Sequence, residues 1–185
     1  MFGKLFKSGE NKQRGLTVSI DGALDTGDWI GEYAEQIAET IHTQSGAQNG
    51  DKNQLATYLA WLYVMLLMKK IASQNPSPRS TDTAFRYICN GVSTPLKHLR
   101  DEDIKSLQHE ALNIMTKFEN LPEQSNTEPK DGTLFWEYAK LLAGKYHSDK
   151  TIINSETVLT LYATIVKSAT ALPYDKLIQT LGDRS

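Results

Sequence analysis

The apolar positions of this chain recur mostly at three- and four-residue intervals. That spacing lines up side chains on one face of an α-helix. Ile30, Tyr33, Ala34, Ile37, Ala38 and Ile41 follow it first, with Asp28 placed to cap the helix before them. Ile104, Leu107, Ala111, Ile114, Phe118 and Leu121 keep the clearest stripe in the chain, and Met115 widens it. Asp101, Glu102 and Asp103 stand before it as cap candidates. Leu134, Phe135, Tyr138, Leu141 and Leu142 form the next apolar face, behind Asp131 as its cap. Val158, Leu161, Tyr162, Ile165, Val166 and Ala169 follow from a start at Asn154 or Ser155. Pro173 then sets off a short last helix containing Leu177, Ile178 and Leu181.

One segment breaks the one-faced pattern. Between about Lys52 and Ser73 the run Leu55 to Met68 is apolar on all sides. A helix of that kind belongs in the centre of a bundle or in a membrane. Its 14 residues fall short of the roughly 20 that cross a bilayer, so it reads as a central core helix. Lys69 and Lys70 sit at its C-terminal end, where the helix dipole favours cations. Pro76 and Pro78 end it. Thr81 or Asp82 is the expected cap of a following helix, with Phe85, Ile88, Cys89 and Val92 on one face and Gly91 weakening its end. Thr94-Pro95 is expected to restart a helix, since proline suits the first helical position.

Leu16-Thr17-Val18-Ser19-Ile20 alternates with period two and carries β-branched residues, which predicts a short strand. Thr151 to Ile153 is its weak partner candidate. Asp21 to Asp28 is rich in Asp and Gly and reads as a loop. Residues 122–132, with Pro122 and Pro129, form the longest linker. The expected architecture is therefore all-α. It is an irregular bundle of about six or seven helices around the apolar helix 52–73, with a short N-terminal extended segment. Residues 1–15 read as a basic arm and residues 16–185 as one domain. A chain of 185 residues is long enough to bury a core without staples.

Charge sharpens this picture. The net charge is only −2, but its distribution is blocked. Residues 15–51 hold seven acids and no Lys or Arg, and residues 52–100 hold seven bases against Asp82 alone. Residues 101–137 are again acidic, with nine acids against three bases. Cys89 is the single cysteine, so a disulfide within this chain and a multi-cysteine zinc site are excluded. Met1 to Lys7 lacks the apolar stretch of a secretory signal, and the expected location is the cytoplasm.

Fragments of catalytic motifs occur, each incomplete. Asp25-Thr26-Gly27 matches aspartic proteases, which need two such carboxylates on a β scaffold. Asp21, Asp25 and Asp28 lack the alternate spacing of a calcium loop. Glu39-Thr40-Ile41-His42 is half of a di-iron pattern with no second half. His98 with Asp101 and Glu102, and His109 beside Glu110, complete no metal motif. Cys89 lies on an apolar stripe with no activating base in view. There is no phosphate loop and no dinucleotide fingerprint. Catalytic, metal and cofactor assignments are therefore none. Lys69, Lys70, Arg79 and Arg86 are too few, on a chain with pI near 6.1, to predict nucleic-acid binding.

Two interaction features remain. Asp28, Glu32, Glu35 and Glu39 are spaced four, three and four apart, which puts all four carboxylates on one helix face. Trp136 points away from the centre of the apolar stripe of its own helix. Together they predict an acidic and aromatic surface for a protein partner with a basic face. The N-terminal arm offers Phe2, Lys4, Leu5, Phe6 and Lys7 as a short docking or membrane-surface segment. The expected function is that of a non-enzymatic helical interaction protein, with an inhibitor or immunity-type protein as one concrete form. The alternatives are an enzyme with a metal or small-molecule site in the bundle core, and a peripheral membrane or assembly component using the arm. Homo-oligomerisation stays open.

Overall fold

A computed structural model describes residues 16–45, 51–74, 76–96, 109–110, 112–114, 116–123, 128–146 and 155–182. These residues form seven helices and no strand, so the fold is all-α as the spacing predicts. The helices are α1 Ile20–Ser45, α2 Lys52–Ala72 and α3 Pro78–Val92. Then come α4, described within 109–118, and α5 Leu134–Tyr146, α6 Ser155–Thr170 and α7 Tyr174–Leu181. The N-terminal arm and the weak strand candidate 151–153 lie outside the described residues. No helix restarts at Thr94-Pro95 itself: the Thr94 N–H donates to the Gly91 carbonyl and closes a turn at the end of α3, and Leu96 is buried without helical structure, while residues 97–108 lie outside the described residues.

α2 is buried along its whole apolar run, from Leu55 to Met68 and again at Ile71. It packs on α1, α3, α5 and α7, which is the central position predicted for it. Asp51 caps it by accepting the Gln54 backbone N–H at 3.0 Å. It is the one described helix long and apolar enough to cross a membrane, and 83% of that stretch lies inside the fold.

The polar atoms carried into this core have partners. The Tyr63 hydroxyl donates to Ser168 Oγ at 2.8 Å, which ties α2 to α6. Ser168 in turn donates to the carbonyl of Ile165. Tyr138 of α5 donates to the Tyr58 carbonyl of α2 at 2.6 Å. Burial pushes the Tyr63 and Tyr138 phenols well above their ordinary range, so both stay protonated and able to donate. The exception is Trp61. Its Nε1 is buried and meets no acceptor among the described residues.

α1 shares the central role and differs most from expectation. It begins at Ile20, not at Asp28. The expected strand at 16–20 is absent. Residues 16–19 carry no regular structure, and Ile20 is already helical. Ser19 decides this locally. Its Oγ accepts the Gly22 N–H at 3.1 Å, three residues on, in the manner of an N-cap. Its own N–H donates to the Leu181 carbonyl at the end of α7, so no strand edge is left open. Leu16 and Val18 rest against the core, which accounts for their alternation without a sheet.

The expected loop at Asp21 to Asp28 is helical because its glycines serve packing rather than turning. Glycine costs a helix interior about 1 kcal/mol relative to alanine, so its presence needs a cause. A Cβ on Gly22 would clash with the Thr180 carbonyl oxygen of α7, and one on Gly27 would clash with the Ile88 carbonyl oxygen of α3. A Cβ on Gly31 would strike the Pro95 ring. Bare backbone at these positions lets α1 seat against α3 and α7.

Two further helix starts are corrected. α3 begins at Pro78 with Ser77 as its cap, whose Oγ accepts the Ser80 N–H at 3.0 Å. Thr81 and Asp82 therefore lie inside the helix, and Asp82 pairs with Arg86 one turn on. α5 begins at Leu134, and Asp131 does not cap it with a backbone bond but takes the Trp136 and Lys140 side chains instead. Gly132, at φ +76°, makes the preceding turn and donates its N–H to Glu137 at 3.0 Å. The starts of α6 at Ser155 and of α7 just after Pro173 are where the sequence places them. Ile114 and Phe118 of α4 are buried as predicted.

Candidate interaction face on helix α1

The register of α1 is set by its buried side. Ala23, Ile30, Ala34, Ala38 and Ile41 face the core with 0–1% exposure. The opposite side faces solvent. Glu32, Glu35 and Glu39 are exposed there, and Asp28 is half-buried at the margin. Because the helix starts at Ile20, two more acids join the same face. Asp21 and Asp25 are both exposed and continue the spacing of four and three toward the N-terminus. The result is one acidic band from Asp21 to Glu39, about 27 Å long at 1.5 Å per residue.

Asp21 and Asp25 were missed because the glycines around them read as a loop. The signal that could have found them is their own spacing. Asp21, Asp25, Asp28, Glu32, Glu35 and Glu39 step by four, three, four, three and four. That rhythm is helical across the whole segment.

The band meets a base at its C-terminal end. Lys52 at the start of α2 pairs with Glu39 at 2.5 Å. The Lys52 hydrogen bond holds the Glu39 carboxyl below its usual range, and Glu39 raises the Lys52 ammonium in return. Both side chains are about half exposed, so solvent screens the pair. Asp21, Asp28, Glu32 and Glu35 form no ion pair within 4.0 Å among the described residues. An open groove of about 430 Å³ lies beside the pair, lined by Glu35, Gln36, Glu39, Lys52, Asn53 and Ala56.

Aromatic side chains flank one edge of this face. Trp29 stacks on Tyr33 at 5.1 Å between ring centres, and the Tyr33 hydroxyl donates to the Ser168 carbonyl at 3.1 Å. Both rings are half-buried and fixed by these contacts. Trp136 is elsewhere in its contacts. Its indole N–H donates to Asp131 at 2.8 Å, its ring sits edge-on to Tyr162, and Lys140 lies over its face. None of the α1 acids is among those partners. The Trp136 hydrogen bond, with Lys140 second, holds the Asp131 carboxyl below its usual range. The arm residues Phe2, Lys4, Leu5, Phe6 and Lys7 lie outside the described residues.

The motif fragments resolve into structural contacts. Asp25-Thr26-Gly27 lies within α1, where Thr26 is buried and returns its hydroxyl to the Gly22 carbonyl at 2.7 Å. Glu39 pairs with Lys52, while His42 Nδ1 lies 2.7 Å from the Tyr146 hydroxyl of α5. Cys89 is buried, and burial pushes its thiol up to about 12, which keeps it un-ionised. Among the described residues no three of His, Cys, Asp and Glu converge as a metal site would require. Of the basic block, Lys69 pairs with Glu123, Arg86 with Asp82, and Lys70 lies over the Tyr174 ring. Comparison with family models, characterised proteins and solved structures finds no match to the chain.

Proposed function

We propose that this protein is a non-enzymatic interaction protein that docks a basic partner protein on the acidic face of α1. The observation that carries the reading is the continuous band from Asp21 to Glu39 on one solvent-facing side of a helix fixed from behind by the core. A rigid row of like charges raises the local potential and speeds encounter with an oppositely charged surface. It also rejects acidic surfaces, which gives selectivity without a deep pocket. Trp29 and Tyr33 supply apolar contact at the edge of the same face, the kind of anchor that interfaces favour. An inhibitor or immunity-type protein that covers a basic functional surface of its partner is the concrete form this would take, in the cytoplasm.

Affinity capture from the source cell tests the reading. The full chain and a variant with Glu32→Gln, Glu35→Gln and Asp28→Asn would be immobilised side by side. The reading expects a stoichiometric basic protein on the first, released by salt, and its loss from the variant. Retention of the same proteins by both, with the same salt dependence, would overturn it.

A further inference from the structure

We draw no further inference here: the strongest candidate, the open cleft of about 520 Å³ between the end of α2 and the start of α7 with Lys70, Gln74, Tyr174 and Lys176 on its walls, rests on a helix N-terminus beside exposed lysines, and nothing in the structure shows what ligand it would hold.

Discussion

Gly27 of α1 and Gly91 of α3 meet backbone to backbone. A Cβ built on either would lie 2.9 Å from the Cα of the other, and each would also run into a carbonyl of the opposite helix. The two helices thus cross where neither has a side chain, and side chains around the crossing close over it. Ala23, Ala84 and Ile88 there are fully buried.

Replacing Gly27 by alanine should therefore destabilise the fold, although alanine is the better helix former. Overpacking of this kind costs about 1–3 kcal/mol, and the obstacle here is backbone, which yields less than a side chain. Gly144 of α5 is the control, since a Cβ there meets nothing within 4 Å among the described residues. Gly144→Ala should stabilise by about 0.5–1 kcal/mol through helix propensity alone. Urea unfolding of both variants reads the difference. Equal midpoints would mean that α1 and α3 do not approach as described.

The buried hydroxyl of Tyr138 and the buried indole of Trp61 predict opposite behaviour. Tyr138→Phe removes the donor to the Tyr58 carbonyl, and should cost about 1 kcal/mol. Trp61→Phe removes an N–H that has no acceptor among the described residues, and relief of about 1–3 kcal/mol offsets the packing lost. Its net effect should stay within about 1 kcal/mol of zero. A loss of several kcal/mol at Trp61 would point to a partner for its N–H.

Stability should fall at alkaline pH. Tyr63 and Tyr138 stay protonated in the fold far above their ordinary value of 10.0. In the unfolded chain they lose protons near that value. The unfolded state then binds fewer protons, so unfolding becomes easier as pH rises. Each phenol contributes a slope of up to about 1.4 kcal/mol per pH unit above about pH 10, and none well below it. Unfolding midpoints on both sides of pH 10, followed with phenolate absorbance, check this. Full ionisation of every tyrosine in a chain that keeps its native circular dichroism would contradict it.

The like charges of α1 repel at intervals of three and four residues. Neutralising Asp28, Glu32 and Glu35 together should raise the melting temperature slightly at low salt. The gain should vanish in about 1 M salt, where the screening length is about 3 Å. A drop in melting temperature at low salt would show that these carboxylates make contacts that stabilise the fold, which would weaken their assignment to docking.

The sequence was most legible where one physical pattern acts alone. The apolar run of α2 admits no exposed side, and its burial follows. Pro173 and Ser155 mark helix starts by local chemistry. Legibility failed where tertiary contact overrides local preference. Gly22, Gly27 and Gly31 lower helix propensity by themselves, and only their fit against Thr180, Ile88 and Pro95 explains them. Leu16 and Val18 alternate because both rest on the core, not because a sheet exists. Four of the six acids on the α1 face were readable, and the other two were hidden by the same glycines. Trp136 was rightly seen to leave the centre of its stripe, but its bond to Asp131 depends on the turn at Gly132.

The acidic band exists as one surface only if α1 is one helix from Ile20 onward. Amide hydrogen exchange across residues 20–45 tests this most directly. Beyond the first turn, where the N–H groups lack intrahelical partners, the account predicts that the amides of Ala23 to Gly31 exchange slowly, as those of Ile37 to Ile41 do. Fast exchange throughout 21–28, with protection beginning only after Asp28, would contradict it and would leave the shorter acidic stripe that the sequence alone suggests.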